Sequence, residues 1–212
     1  MSRLARRPQG RPIGVILAGG EGRRIGGSKA IVRLHGKPLI CYPLQALREA
    51  LDDVVIIAKP DTELPSLPSV TVWVEPQTPC HPLLGIMHAL SLAEGRPIVS
   101  CATDLPFVTP QVIERLARAH PRGAPAVIAA SRGETQPLLG CYQPDTLDLL
   151  RTPTLSADLP LREVVARIGA RTVEVDPQVL FNVNTPDDLL QAAGMLDTFG
   201  VAPARRPPPT RR

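Results

Sequence analysis

Short runs of apolar, often β-branched residues recur along the chain, separated by longer stretches with helical spacing. The runs are almost continuously apolar, which is typical of strands in a parallel sheet that helices cover on both faces. A further candidate, 135–142, could run antiparallel, although its proline and glycine disfavour a regular strand. The other predicted strands are 13–18, 53–58, 70–74, 97–102, 125–130 and 171–175.

The stretches between the runs predict helices, and two of these helices have clear start signals. Thr109 and Thr185 are each followed by proline, so a capping hydroxyl precedes a first-turn proline. This alternation of strands and helices predicts an α/β fold of three layers, Rossmann-like, with a mostly parallel sheet between helices. The predicted helices are about 39–51, 83–94, 110–120, 145–151, 160–168 and 186–196.

Length and composition fit a single domain between two basic tails. The 212 residues are 43% hydrophobic and 21% charged, which is typical of a globular domain. We predict one domain over 13–197, a disordered basic tail over 1–12 and a Pro/Arg-rich tail over 198–212. The tails hold eight arginines and no acid, so the formal net charge of +4 leaves −4 on the body. Nucleic acid is therefore not an expected partner, and RNA binding through the tails is kept as an alternative.

Neither a membrane segment nor a thiolate site is indicated. No apolar run approaches the roughly 20 residues of a transmembrane helix, and 13–18 is too short for the apolar part of a signal peptide. We expect a cytoplasmic protein with no membrane partner. Cys41, Cys80, Cys101 and Cys141 are far apart and the histidines show no paired spacing, which favours free thiols over a zinc site or disulfides.

The first predicted strand leads directly into a glycine-rich segment with three cations, ILAGGEGRRIGGSK at 16–29. Backbone N–H groups reach a phosphate where no Cβ intervenes, and ligands of such sheets lie at the carboxyl ends of strands. The Walker pattern fails because Ser28 precedes Lys29, and the dinucleotide fingerprint fails because its third glycine comes late. Arg23, Arg24 and Lys29 suit a triphosphate with about four negative charges. The segment is predicted to hold a nucleoside triphosphate, with a solvated turn as the alternative.

A carboxylate follows the predicted strand 97–102, in the sequence CATDLP. Asp104 should therefore lie at the same edge of the sheet as the glycine-rich segment. Magnesium prefers one or two carboxylates together with phosphate oxygens and water. Asp104 is the candidate ligand of Mg²⁺, with Mn²⁺ as an alternative ion, and the competing interpretation is a turn-forming or capping aspartate.

Two asparagines alternate in the segment FNVNTPDD just before the last predicted helix. In an extended segment, Asn182 and Asn184 would place both amides on one face. Amides offer donors and a carbonyl oxygen without adding negative charge beside a triphosphate. We predict that they face the acceptor substrate or the metal. Helix capping is the alternative, but Thr185 already serves that purpose.

These segments together resemble the molybdenum cofactor guanylyltransferases, within the wider superfamily of cytidylyl- and sugar-nucleotidyltransferases. The similar features are LAGGxxxRxGGxK followed by HGKPLI, the aspartate turn before proline, and the Asn-x-Asn-Thr-Pro pattern. The double glycine resembles the guanylyl branch, whereas molybdopterin cytidylyltransferases tend to have Ala-Ala-Gly there. The resemblance implies a nucleotidyltransferase fold, with catalytic Arg23, Lys29 and Asp104. It implies nucleotide binding by Leu17, Ala18, Gly19, Gly20, Gly22, Lys29, Glu75 and Asp104.

Three positions depart from the pattern of the family. Ser28 stands where an aspartate often precedes the lysine, and His81 replaces the glycine of a Gly-Pro-Leu-x-Gly segment. Ile57 occupies the expected place of an asparagine on the second strand. The acid that reads the guanine amino and imino groups would be Glu75, the nearest carboxylate upstream of His81.

The implied reaction is transfer of GMP from GTP to the phosphate of molybdenum-bearing molybdopterin, with release of pyrophosphate. Magnesium is the implied cofactor, Asn182 and Asn184 the acceptor-binding residues, and molybdoenzymes or cofactor-insertion proteins the further candidate partners. Two alternatives are kept. One is a related nucleotidyltransferase that uses CTP or another phosphorylated acceptor, and the other is a non-catalytic, nucleotide-binding regulatory module.

Overall fold

The computed structural model describes residues 10–20, 25, 27–77, 81–119, 123–152 and 159–199. Strands in these ranges are β1 (Ile13–Leu17), β2 (Arg33–Leu34), β3 (Lys37–Pro38), β4 (Val54–Ala58), β5 (Thr71–Val74), β6 (Ile98–Ala102), β7 (Ala126–Ser131), β8 (Glu134–Tyr142) and β9 (Arg171–Glu174). Helices are α1 (Cys41–Ala50), α2 (Pro82–Leu92), α3 (Pro110–Arg118), α4 (Thr146–Leu150), α5 (Leu161–Arg167) and α6 (Pro186–Phe199), and a 3-10 helix spans Pro177–Leu180.

Seven of the strands form one sheet in the order β5-β4-β1-β6-β8-β7-β9. β1 pairs in parallel with β4 and β6, β4 with β5, and β7 with β9. β8 runs antiparallel between β6 and β7. All the predicted strands are therefore confirmed, including the antiparallel one at 135–142. Its proline is tolerated because β7 and β8 shift register beside it, where Ile128 pairs with Gly140 but Ala129 pairs with Gln136.

Helices cover both faces of this sheet, as the continuous apolar runs predicted. Ile16 of β1 packs with α1 and α3 on one face, while its neighbour Val15 packs with α2 and α5 on the other. Both side chains are fully buried, and burial of such a side chain contributes about 1.5–3 kcal/mol. The three-layer α/β architecture and the six predicted helices are confirmed.

The hairpin of β2 and β3, which packs with α6 beside the sheet, was not predicted from the sequence. β2 and β3 are joined by His35 and Gly36, which both have positive φ (48° and 74°), as a two-residue turn between twisted strands requires. Leu34 of this hairpin packs with Ala192 of α6 and with Val183. The hairpin and α6 therefore fix the segment that carries the two asparagines.

The start of α6 is a reciprocal cap. The Asp188 N–H donates to Oγ1 of Thr185 at 3.2 Å, and Oδ2 of Asp188 accepts from the N–H groups of Asn184 and Thr185, both at 2.9 Å. The bond from the Asn184 N–H is the main cause that lowers the pKa of Asp188. The predicted cap at Thr185 is confirmed, and Thr109 likewise caps α3.

The domain limits of 13 and 197 stay a prediction, and the described structure extends slightly beyond both. Arg11, inside the predicted N-terminal tail, pairs with Asp52 at 2.7 Å. At the other end, α6 continues to Phe199. Residues 1–9 and 200–212 lie outside the described residues. Within the described part of the chain, no helix is long and apolar enough to cross a membrane.

Candidate active site

A pocket opens at the carboxyl ends of β1, β4 and β6, the edge at which ligands of parallel sheets lie. It encloses about 220 Å³. Several loops converge there, and two hydrogen bonds to backbone carbonyls hold them together. The Ala18 N–H donates to the Ile57 carbonyl at 2.8 Å, and the Thr103 hydroxyl donates to the Leu17 carbonyl at 3.0 Å. The lining residues are Leu17, Ala18, Gly19, Gly20, Lys29, Lys59, Glu75, His81, Pro82, Gly85, Ala102, Thr103, Asp104 and Leu138.

The glycine-rich segment contributes one wall, of which Leu17 to Gly20 are described. A Cβ on Gly19 would lie 2.3 Å from Oε1 of Glu75, so a side chain there would collide with that carboxylate. A Cβ on Gly20 would meet nothing within 4 Å. Gly19 is therefore needed for the close approach of Glu75. Gly22 and Arg23, both predicted to bind or act on the nucleotide, lie outside the described residues, and their roles stay predictions.

Lys29 joins two segments that are distant in sequence. Its Nζ donates to Oδ2 of Asp104 and to Oδ1 of Asn184, both at 2.6 Å. The structure thus brings together three predicted site residues around one ammonium group. Ser28, where the family often has an acid, donates its hydroxyl to the Glu63 carbonyl at 2.9 Å and so fastens the loop before Lys29.

Asp104 lies just beyond β6 with its carboxylate largely buried. Its backbone carbonyl accepts the Val183 N–H at 3.0 Å, which ties it to the asparagine segment. Oδ2 pairs with Lys29, whereas Oδ1 is buried without a hydrogen-bond partner among the described residues. An unsatisfied buried carboxylate oxygen is costly unless a ligand completes it.

This unsatisfied oxygen fits a magnesium ion that is shared with phosphates. No group of three or more His, Cys, Asp and Glu side chains could enclose a metal by itself in the described part of the chain. Magnesium does not need such a cage, because one or two carboxylates suffice when phosphate oxygens and water complete the shell. Oδ1 of Asp104 provides one such carboxylate oxygen at the pocket.

The two asparagines have different partners. Asn184 bonds Lys29, as described above, whereas Oδ1 of Asn182 accepts from Nε2 of Gln136 on β8 at 3.2 Å. Thr185 and Asp188 cap α6, so neither asparagine side chain is occupied with that task. The prediction that both amides serve the acceptor is untested, and the structure places only Asn184 beside Lys29.

Glu75 follows β5 and lies inside the pocket with 8% of its surface exposed. Its N–H donates to the Ala58 carbonyl at 2.9 Å. Oε2 lies 3.3 Å from the position of a Cβ on Gly85, so the carboxylate fits between two glycines. Burial raises the pKa of Glu75, and the charges of Lys59 and His88 oppose that rise.

Lys59, immediately after β4, also lines the pocket, and sequence reasoning missed it. It is 8% exposed, which is unusual for a lysine. Ile57, two residues earlier, is buried against α2 and has no polar atom in its side chain. A lysine directly after an apolar strand, at the carboxyl end of a parallel sheet, is the signal that could have indicated it.

Residues 14–175 of the chain match the MobA-like NTP transferase domain. A probable molybdenum cofactor guanylyltransferase of Thermococcus kodakarensis is 30% identical over 84% of this chain and 92% of that protein. The molybdenum cofactor guanylyltransferase of Rhodobacter capsulatus is 33% identical, with 86% and 95% covered. The crystal structure of molybdopterin-guanine dinucleotide biosynthesis protein A from Archaeoglobus fulgidus has a TM-score of 0.73 at 27% identity, and 88% and 99% of the two chains are covered.

Proposed function

This chain belongs to the family of MobA-like NTP transferase domains, and we propose that it transfers GMP from GTP to the phosphate of molybdenum-bearing molybdopterin. The observation that carries the proposal is that Nζ of Lys29 lies 2.6 Å from both Oδ2 of Asp104 and Oδ1 of Asn184. Lys29 and Asp104 line the same pocket as Glu75 and residues 17–20. The names of the relatives support the guanylyl group and the molybdopterin acceptor.

One end of the pocket suits the triphosphate. Lys29 supplies a point charge beside the backbone N–H groups of Gly19 and Gly20, and such groups bind phosphate oxygens together. Arg23 is expected to add a second cation. Asp104 would hold Mg²⁺ or Mn²⁺ through Oδ1, and a bound divalent cation neutralises charge on the phosphates.

The chemistry needs positioning more than proton transfer. The second pKa of a phosphate monoester is about 6, so the acceptor is largely dianionic near neutral pH and needs no general base. Its oxygen forms a bond to the α-phosphorus of GTP, the bond from that phosphorus to the bridging oxygen breaks, and pyrophosphate leaves. Lys29 stabilises the charge that develops on the leaving group. Asn182 and Asn184 are the proposed contacts of the acceptor phosphate.

The other end of the pocket suits guanine. The Glu75 carboxylate can accept hydrogen bonds from the N1–H and 2-amino groups, which cytosine and adenine do not offer in that arrangement. A base that left this buried carboxylate unpaired would be rejected, because an unpaired buried polar group costs free energy.

The nucleotide is tested by measuring pyrophosphate release from GTP, CTP and ATP in the presence of Mg²⁺ and molybdenum-bearing molybdopterin. Release that requires the acceptor and strongly favours GTP supports the proposal. Equal or faster release with CTP would assign the chain to a cytidylyl transfer, and binding without release would indicate a regulatory module.

We place the reaction in the cytoplasm, as the sequence predicts. Cys41, Cys101 and Cys141 are free thiols in the described part of the chain, which suits a reducing compartment. Molybdoenzymes or cofactor-insertion proteins are kept as candidate partners that would receive the product.

A further inference from the structure

Lys59 is a buried cation in the pocket wall to which the proposed reaction gives no task. Its side chain passes Gly19, and Cγ lies 3.6 Å from the position of a Cβ on that residue. Oε1 of Glu75 lies 2.3 Å from the same position. Lys59 and Glu75 therefore lie next to each other along the glycine-rich segment, at the end of the pocket proposed for the base.

The protein contacts of Lys59 leave part of its ammonium group unused. Nζ donates to the carbonyls of Pro76 and Gln77, and among the described residues it forms no ion pair with Glu75. An ammonium group has three hydrogens to donate. One hydrogen is thus left without a protein acceptor in the described part of the chain, in a residue that lines the pocket.

A lysine is an expensive choice if its only purpose is to hold two backbone carbonyls. The effective penalty for burying an ammonium is several kcal/mol, and a neutral amide donates to carbonyls at a lower cost. A third acceptor supplied by a ligand would compensate part of this penalty. The acceptor must lie close to the groups that Glu75 recognises, because the two side chains are neighbours.

We propose that Lys59 donates its remaining hydrogen to O6 of guanine and so determines, with Glu75, which base enters the pocket. The inference rests on the proposed function. Guanine presents an acceptor at O6 next to donors at N1 and the 2-amino group, and Lys59 and Glu75 match these in order. A base with an amino group at position 6 would place a donor against the ammonium and leave both groups unsatisfied.

Two nucleotide analogues separate the contributions of the two residues. Inosine triphosphate lacks only the 2-amino group, which is assigned to Glu75. 6-Thioguanosine triphosphate keeps N1–H and the 2-amino group but has sulfur, a weaker acceptor, in place of O6. Dissociation constants of GTP and both analogues are measured calorimetrically, with Mg²⁺, for the wild type, Lys59→Met, Lys59→Gln and Glu75→Gln. Lys37→Met, at a lysine outside the pocket that bonds Gln45, is the matched control.

The wild type is expected to bind GTP about fivefold more tightly than the 6-thio nucleotide, because sulfur weakens one charge-assisted hydrogen bond. Lys59→Met should reduce this ratio to less than about twofold but keep the preference for GTP over inosine triphosphate. Glu75→Gln should do the reverse, and Lys37→Met should change neither ratio. An equal loss of affinity for all three nucleotides in Lys59→Met would show that Lys59 only supports the backbone of 76–77, and would overturn the inference.

If the Lys59 variants do not fold, the affinities of the wild type for GTP and for the analogue changed at position 6 still test the inference. A wild type that binds the 6-thio nucleotide as tightly as GTP overturns the inference without any variant. Formation of the guanine dinucleotide product is measured separately. A preference for nucleotides with O6, without formation of the dinucleotide, would refute the proposed function and leave the Lys59 inference intact. Formation of the dinucleotide, with the same ratio of GTP to analogue affinity in Lys59→Met as in the wild type, would refute only the inference.

Discussion

Nζ of Lys29 lies 2.6 Å from Oδ2 of Asp104, and this pairing leaves Oδ1 of the same carboxylate buried without a partner among the described residues. The two residues are 75 positions apart and meet because β1 and β6 are parallel neighbours. Lysine thus orients the carboxylate through one oxygen, and the other oxygen can contact a cation that accompanies the triphosphate.

Asp104→Asn should lower the rate of pyrophosphate release at least about 100-fold, the scale at which removing one electrostatic contact acts on a transition state. The amide keeps the size of the side chain and can still accept a hydrogen bond from Lys29. Circular dichroism and thermal unfolding should therefore show a folded protein. Asp187→Asn, at an exposed position in the first turn of α6, should keep wild-type activity. Wild-type turnover by Asp104→Asn would remove Asp104 from the mechanism.

Gly19→Ala should weaken GTP binding at least about fivefold, because its Cβ would meet Oε1 of Glu75 at 2.3 Å and displace the end of this side chain from the position proposed for guanine. Gly20→Ala is the matched control in the same segment, where a Cβ meets nothing within 4 Å. Its affinity for GTP should change by less than about twofold. Calorimetric titration with GTP compares the two variants, and chemical denaturation without nucleotide checks that both are folded. Equal affinity of the two variants for GTP would contradict the close packing of Gly19 and Glu75.

The affinity for GTP should fall as the pH decreases through the raised pKa of Glu75, which lies above the usual 4.5 because the side chain is buried. Only the ionised carboxylate accepts both guanine hydrogen bonds. Calorimetry between pH 7 and 5 on the wild type and Glu75→Gln isolates this effect, since titration of the nucleotide phosphates is common to both. A wild-type to variant affinity ratio that does not change with pH would contradict the role of Glu75.

The stability of the unliganded protein should show the opposite dependence for this residue. A carboxylate whose pKa is raised by folding favours the folded state when protonated. Its contribution is fully present below pH 4.5 and is lost as the pH rises through the folded pKa. The charge of Lys59 lowers the pKa of Glu75. Lys59→Met should therefore move two transitions to higher pH, the loss of GTP affinity and the loss of the stability contribution of Glu75.

Asn182→Ala and Asn184→Ala should both raise KM for the molybdopterin acceptor, and only Asn184→Ala should also weaken GTP binding. Asn184 bonds Lys29, so its loss should weaken GTP binding about fivefold or more, the equivalent of one hydrogen bond. Asn182 bonds Gln136 instead, and its loss should raise KM for the molybdopterin acceptor while KM for GTP changes less than about twofold. Steady-state kinetics with each substrate varied provides both values. A larger effect of Asn182→Ala on GTP than on the acceptor would refute its assignment.

Most of the main sheet could be predicted because its strands β1, β4, β6 and β7 are continuously apolar and largely buried. The edge strands β5 and β9 are largely exposed and are indicated by their β-branched residues. The family resemblance was likewise carried by local motifs, and the comparisons confirm it. The hairpin β2–β3 could not be predicted, because two strands of two residues have no periodicity to detect. Pairing of Lys29 with Asn184 follows from the packing of α6 on that hairpin, which no local pattern contains.

Tertiary packing also explains why the burial of Lys59 and the different partners of Asn182 and Asn184 could not be predicted. A lysine after a strand is ordinarily solvent-exposed, and its burial here results from the chain at 75–77 folding over it. Asn182 reaches Gln136 because the register shift between β7 and β8 sets the position of that glutamine. Both are consequences of register and loop packing.

The most direct test of the central claim is mass spectrometry of the products formed from GTP and molybdenum-bearing molybdopterin by the purified wild-type protein with Mg²⁺. The proposed function predicts a molybdopterin guanine dinucleotide and an equal amount of pyrophosphate, with little product from CTP or from Asp104→Asn. A cytosine dinucleotide as the main product, or no dinucleotide although GTP binds, would contradict it.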